Sequence, residues 1–410
     1  MKKIVYTLLL LVSVGSLWGQ TWGQQKPFRY FELGADVDVG LANNYLSIGE
    51  IFQDTLVIDL NKMAKNGFKL SAAADAHAVI NINFGSKVGV GFFAGAKTSI
   101  YGGLEKPLFD LMFNEDNLKA GTISGDAVAL GGNAFADAGL YVSAEVGRLK
   151  FKVSPAMYIP LVYIPKSDVS YELTTTDEGN ISIKADTNLN IYAPVALSNE
   201  GSFTYDVSNL NTFLEGKGFD LSLDVEYALF PILDLGLSVD SIPIVPAVLN
   251  KKIGFSTELV NIEMENALDQ LINGSFEIPE LPDFGNMELE YSEEAAQKVF
   301  RPMTFDVYAL FRPLKSNFLV LRPNIALSFF TVYGKPVFGA GVLAQMNVLR
   351  VFSLDLGIGY KELLWKTQLG FMLNLRVLQL NVKATLQSQD FVGMFKASGL
   401  DVAVGFRLGF

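Results

Sequence analysis

Only a few residues in this chain could begin any chemistry. His77 is the one histidine among 410 residues, and it follows Asp75 by two positions. Alternation puts both side chains on the same face of an extended segment. A neighbouring carboxylate can orient an imidazole as a general base. A hydrolase built on that pair would also need an activated serine, and no serine is marked by its spacing. The other reading is a satisfied polar side chain on the inner face of a sheet, and the surrounding residues favour it. The chain has no cysteine. That excludes disulfides, thiolate metal sites, a cysteine nucleophile and a lipoprotein anchor. No group of His and carboxylate residues has metal-ligand spacing. The Gly-x-Gly repeats fall in alternating segments and not in strand–turn–helix units that cradle phosphate. No enzyme activity, cofactor or metal centre is expected.

The remaining charges form a pattern. Glu32, Asp36, Asp38, Asp75, Asp137, Glu145, Asp220, Asp224, Glu226 and Asp234 share the polar faces of alternating segments before residue 241. Arg312, Arg322, Lys366, Arg376, Lys383 and Arg407 occupy the polar faces of later segments, with Asp306, Asp355 and Asp401 among them. If the apolar faces meet lipid, these charges line a lumen with one mainly acidic wall and one largely basic wall. Two readings are open, and both can hold at once. Opposite charges pair across the lumen and close it with a polar network, or they set a transverse field across a water-filled pore.

The elements that carry these residues are read from period-2 alternation. The clearest segment is 68–84, where Phe68, Leu70, Ala72 and onward to Phe84 share one face while Lys69, Ser71, Asp75, His77, Asn81 and Asn83 share the other. Soluble strands usually run about five or six residues, so this one is tall enough to cross a membrane obliquely. The same pattern predicts strands at about 29–40, 87–101, 133–147, 149–164, 219–230, 232–241, 303–312, 318–330, 336–347, 350–360, 364–376, 378–389 and 399–410. The count is about fourteen. A sixteenth is reached if Ile253–Thr257 and a companion join the wall. Tight turns alternate with long connections at about 102–132, 165–218 and 241–302. Short turns on one rim and long loops on the other are the arrangement of an outer-membrane barrel. Short helices are predicted at Asp59–Lys65, Glu258–Asn273 and Ser292–Phe300. Pro155, Pro160 and Pro323 lie inside predicted strands, where each removes a ladder donor, so bulges or strand ends are expected there. Inward glycines such as Gly91, Gly139 and Gly341 are expected to permit twist and bending. Tyr101, Tyr158, Tyr163, Phe230, Tyr333, Tyr360, Trp365 and Phe410 fall near strand ends, as interfacial girdles do.

Composition supports this class. Half of the residues are hydrophobic and 18% are charged, yet after the N-terminus no run reaches the roughly 18 apolar residues of a spanning helix. Residues 1–20 read as a secretory signal, with Lys2 and Lys3 before a short apolar run; the alternative, a membrane anchor, needs a longer run. The formal net charge is −11, or about −13 without those two lysines, which leaves no basic track for nucleic acid. In 399–410 the apolar residues Leu400, Val402, Val404, Phe406, Leu408 and Phe410 alternate to the last position. A strand sealed to its end suits a closed ring.

That terminal strand resembles those of bacterial outer-membrane β-barrel proteins. The resemblance implies that Phe410 is read by the barrel assembly machinery, and that the partners are outer-membrane lipid and a small solute or lipid-like molecule. About fourteen strands with long outer loops also resemble, in architecture, the FadL-type transporters of long-chain fatty acids and hydrophobic compounds. In that family an N-terminal hatch plugs the barrel, whereas here the first strand begins about ten residues after the predicted cleavage site. Either the hatch is missing or a loop does its work, and 241–302, which carries apolar runs, is the candidate lid or plug. The expected function is passive passage through a loop-gated lumen. The alternative is a non-conducting surface barrel that acts as an adhesin or structural protein through its loops. A soluble envelope β-sandwich is the third reading, opposed by the strand lengths.

Overall fold

The computed structural model describes residues 29–45, 47, 67–106, 120–178, 180–197, 203–205, 214, 216–264, 288–292, 294–348, 351–388, 391–396 and 398–410. The predicted signal 1–20 and the helix predicted at Asp59–Lys65 lie outside these residues.

Alternating sequences become strands here because one face can rest in an apolar phase while the other stays polar. The first seven are β1 (Phe31–Asn43), β2 (Phe68–Phe84), β3 (Val88–Leu104), β4 (Gly121–Val146), β5 (Leu149–Thr175), β6 (Gly218–Phe230) and β7 (Leu233–Val245). The second seven are β8 (Met303–Phe311), β9 (Leu319–Phe329), β10 (Val337–Val348), β11 (Phe352–Lys361), β12 (Leu364–Asn374), β13 (Leu378–Ser388) and β14 (Gly399–Gly409). Each pairs antiparallel with the next, and β1 pairs with β14, so fourteen strands close into a ring with no free edge. The alternative of sixteen wall strands is not realised. The strand Lys252–Met264 pairs with Ile181–Tyr192 and Glu288–Ser292 instead.

Closure is made by backbone and side chains together. Tyr30 N donates to the Phe410 carbonyl at 2.6 Å, Phe410 N donates to the Phe31 carbonyl at 3.1 Å, and the Phe31 and Phe410 rings stack at 5.8 Å. On the inner side Arg407 of β14 meets Asp36 and, at 3.6 Å, Glu32 of β1. Glu32 also accepts from Arg29 at 2.8 Å and from Asn81 Nδ2 at 3.0 Å.

The outer face is apolar along the whole ring. Leu33, Phe92, Leu140, Leu235, Val307 and Ile325 are all exposed there, Leu140 to 60%. Such a belt is expensive in water and suits lipid. Exposed aromatics mark both ends: Phe84, Phe230, Phe311, Phe318 and Phe410 at the short-turn rim, and Phe330, Phe338, Phe391 and Phe395 towards the long-loop rim. The girdle assignment needs correction at Tyr101, Tyr158 and Tyr333. These three are buried, because they project inward and meet other chain segments.

β4 and β5 are 26 and 27 residues long, far more than a membrane requires. Beyond the wall they continue as a sheet with Ile181–Tyr192, Lys252–Met264 and Glu288–Ser292. This corrects two predicted helices. Residues 258–264 are strand, and Ser292–Phe300 contains the end of one strand and the short strand Gln297–Val299.

The prolines behave in two ways. Pro160 sits beside a bulge in the β4–β5 ladder, between Ala134 and Phe135. Pro155 and Pro323 lie in continuous strands without a register shift on the side where they are paired, with Leu221 and Val342 respectively. The expected bulge or strand end is absent at these two. Each turns its donorless nitrogen towards a local gap in the other ladder, where β5 and β8 respectively skip pairs.

Candidate functional site: the barrel lumen and its insert

The inner face differs from the outer at every level. The inward glycines sort into two kinds. In the first, a glycine lies directly opposite a large inward side chain on the next strand. The register pairs are Gly34–Arg407, Gly91–Tyr141, Gly95–His77, Gly139–Phe93, Gly218–Tyr158 and Gly236–Tyr308. A Cβ at any of these glycines would fall under 3 Å from the facing side chain. The glycine therefore lets a ring or guanidinium lie flat along the wall. In the second kind no ring covers the glycine. Gly339 and Gly341 of β10 and Gly357 and Gly359 of β11 meet only backbone and the atoms of small or flexible side chains. They leave the wall bare and help open a cavity of about 320 Å³.

The excursion between β7 and β8 comes back into the barrel. Its short strands Ala247–Leu249 and Gln297–Val299 form an antiparallel ribbon. Ala247, Leu249 and Val299 cluster with Phe135 of β4 and Tyr158 of β5, and all five are buried. One hydroxyl holds both strands of the ribbon: Tyr158 accepts from Ala247 N at 3.2 Å and donates to the Val299 carbonyl at 3.1 Å. Two residues on, Arg301 grips the wall. Its Nε and Nη2 donate to Asp220 of β6 at 2.6 and 2.7 Å, and its Nη1 donates to Asp137 of β4 at 2.6 Å. The guanidinium also lies 5.4 Å from the Tyr158 ring centre. Asp137 is shared with His77, whose Nε2 lies 3.3 Å away. The His77 Nδ1 approaches Asp75 at 2.5 Å, close but not aligned as a hydrogen bond. Asp75–His77–Asp137–Arg301–Asp220 thus runs from β2 to β6 by way of the insert.

A second insertion comes from the β9–β10 connection. Tyr333 packs on Tyr101 of β3 at 4.9 Å between ring centres, and its hydroxyl donates to the Glu362 carbonyl at 3.2 Å. Met394, in the turn of 3-10 helix Gly393–Lys396, is fully buried and receives the Thr367 hydroxyl at 3.1 Å.

The charged residues singled out by sequence fall into several groups. Arg312 reaches Asp234 at 2.7 Å, Arg322 reaches Asp306 at 3.0 Å and Lys150 reaches Glu226 at 2.6 Å. Together with Arg407–Asp36, these pairs join adjacent strands and do not span the lumen. Asp224 accepts from Ser238 Oγ at 2.6 Å and faces Lys152 in register. Glu145 stands opposite Lys150 near the short-turn rim. Asp38, Lys366 and Lys383 line the cavity. Arg376 is placed differently from the sequence reading. It lies in the exposed turn between β12 and β13, and it contributes its carbonyl to Arg29 at 3.1 Å. Asp75 and Asp137 are brought together by His77. Sequence reasoning misses Arg301 and the inward role of Tyr333, because both lie outside strands where alternation says nothing. Among the described residues no cluster has the make-up of a metal site.

No protein-family model and no curated protein matches the sequence. Solved structures do. A Pseudomonas aeruginosa FadL homologue aligns with a TM-score of 0.48 at 8% identity, over 97% of this chain and 99% of that one. The Pseudomonas putida toluene transporter TodX aligns at 0.46 and 10% identity, over 97% and 96%. The Ralstonia pickettii toluene transporter TbuX aligns at 0.46 and 8%, over 94% and 92%. These are remote likenesses, and what this barrel does is read from its own residues. Closed without an edge, apolar outside and charged within, with an even number of antiparallel strands, the chain is a bacterial outer-membrane β-barrel protein.

Proposed function

We propose that the protein is an outer-membrane channel or transporter. It passes small or hydrophobic molecules passively through a lumen gated by the excursion at 241–302. The observation that carries this reading is the anchored ribbon. β5, where Tyr158 holds the ribbon, and β12, on the cavity side, are seven strands apart in a ring of fourteen, so they face each other. An insert on one wall with open volume along the other is the geometry of a constriction with a route past it. The ribbon is fixed by a few charge-assisted hydrogen bonds and one small apolar cluster. Such an attachment can be released without unfolding the wall. The charged inner face then orders polar solutes and water along the route. In this reading the segment serves as lid or plug, Phe410 as the assembly signal, and residues 1–20 as a signal removed on export. No chemical step is assigned to His77, whose neighbours hold it as part of the anchor.

Planar-bilayer conductance tests the proposal. Deleting 258–300 removes one strand of the ribbon and should raise single-channel conductance. Unchanged conductance in a folded, inserted protein would sink it. A second reading is favoured by the sheet that β4 and β5 extend beyond the wall. That sheet suits a surface barrel whose loops bind partners and whose lumen stays closed. Absence of conductance both before and after the deletion would select it.

A further inference from the structure

The cavity under the long-loop rim has a composition of its own, and its assignment rests on the channel reading only for the route by which a solute arrives. Its floor is the bare glycine patch of β10 and β11, where Gly341 and Gly359 are direct partners. Its sides are set by the strand register. One row around the barrel runs Asn324, Gly341, Gly359, Lys366. The next runs Gly357, Gln368, Thr385, Asp401. A third runs Lys383, Ala403, Asp38. Amide and hydroxyl groups thus stand between two ammonium groups, with a pair of neighbouring carboxyls at one side. Lys366 shares Glu362 at 3.4 Å, with Lys361 at 3.7 Å on the same carboxylate. Lys383 makes no ion pair within 4 Å among the described residues; Asp355, across Gly370 in register, is the carboxylate whose charge reaches it.

These groups select by charge and by hydrogen bonding. An alkyl chain would leave the lysines, Gln368 and Thr385 facing it unsatisfied. A dianion such as phosphate would meet Asp38 and Asp401 as like charges. A cation would meet three lysines, Lys361, Lys366 and Lys383, against the two aspartates Asp38 and Asp401 on the lining. A solute with one carboxylate and several hydroxyls satisfies every group: the carboxylate on Lys383, the hydroxyls on Gln368, Thr385 and the carboxyl pair. The volume, about 320 Å³, lies at the lower end of small-molecule sites. We propose that the cavity over Gly341 and Gly359 is a binding site for a small hydroxylated carboxylate of the sugar-acid class, with Lys383 as the residue that takes the carboxylate.

The test is equilibrium binding to the refolded full chain in detergent micelles, by calorimetry, with gluconate as the probe. Glucose, N-methylglucamine and inorganic phosphate are the comparisons, and heat-modifiable gel mobility reports folding. Gluconate should bind saturably, at least tenfold more tightly than the other three. Lys383→Gln should weaken gluconate tenfold or more, and Ala403→Leu, which narrows the cavity between Lys383 and Asp38 without changing its net charge, should do the same. Gluconate binding no better than glucose, phosphate binding more tightly than gluconate, or full gluconate affinity in folded Lys383→Gln would each overturn the assignment. Conductance separates this claim from the channel reading. Gluconate binding in a non-conducting barrel upholds the site and removes the channel. Conductance without gluconate binding removes the site alone.

Discussion

Replacing Arg301 with glutamine is the most direct way to unfasten the insert. The residue makes three charge-assisted contacts of 2.6–2.7 Å, with its side chain 14% exposed and the partner carboxylates of Asp137 and Asp220 3% and 1% exposed. Glutamine keeps a donor and some length but leaves buried Asp220 without its guanidinium and Asp137 with only His77 beside it. Breaking a buried pair by removing one partner costs about 3–5 kcal/mol. Water in the lumen relaxes part of this, so about 3 kcal/mol is the working figure. Because the wall ladders do not involve Arg301, the loss falls on the docked state of the ribbon. That shifts the docked-to-released ratio by more than about a hundredfold. In planar bilayers the Arg301→Gln protein should show frequent or sustained openings, while its folded gel mobility stays that of the wild type. Adding Asp220→Asn removes the worse of the two orphaned charges and should restore part of the closed population. If Arg301→Gln conducts as the wild type does and the double variant changes nothing, the guanidinium is not what holds the ribbon.

Other consequences can be checked the same way. Tyr158→Phe loses the hydroxyl that joins both ribbon strands, at a net cost of about 1–2 kcal/mol, and should raise opening frequency less than Arg301→Gln does. Gly236→Val drives a side chain into the Tyr308 ring. It should lower the denaturant midpoint by the equivalent of about 1–3 kcal/mol, and Tyr308→Ala on the same background should relieve it. Leu140→Arg, on the lipid face, should destabilise the vesicle-embedded barrel by about 2–4 kcal/mol and leave the ligand affinities of the lumen unchanged. A shifted affinity would mean that Leu140 does not face lipid.

The wall is legible because lipid on one side and water on the other impose a strict period of two. Segment 68–84 can be read to the residue, and most strand ends fall within one to three positions of where alternation puts them. Legibility stops where that asymmetry stops. Residues 121–127 and 170–175 continue β4 and β5 beyond the last residues paired with β3. There neither face meets lipid, so Thr122, Ser124, Asp126 and Ser170 alternate with nothing distinctive. Residues 258–264 carry Leu259, Val260, Ile262 and Met264, a spacing that fits a helix as well as a strand interrupted by the irregularity seen between Thr257 and Val260. In the lumen, alternation assigns the charged residues to a face but not to partners. Arg301 comes from a segment with no periodicity, and the neighbour-to-neighbour pairing of Arg312 and Arg322 depends on register, which side-chain pattern alone leaves open.

The pairing of Arg407 with Gly34 bears on how the ring finds its correct closure. Arg407 and Ala35, whose carbonyl accepts from it, are 372 positions apart in sequence. Neighbouring hairpins form from local contacts, whereas the two ends pair across nearly the whole chain. Backbone ladders alone would accept a slip of two residues, since such a slip preserves every face. The guanidinium cannot tolerate it. Gly34 is the position on β1 where the guanidinium can lie flat, between Glu32 and Asp36. A chain displaced by two would set the guanidinium against the Cβ of Glu32 or Asp36 and take it away from the other acid. The seam therefore works as a proofreading lock: its chemistry rejects near-miss closures, so that an inserted barrel carries a single register from the first strand to the last.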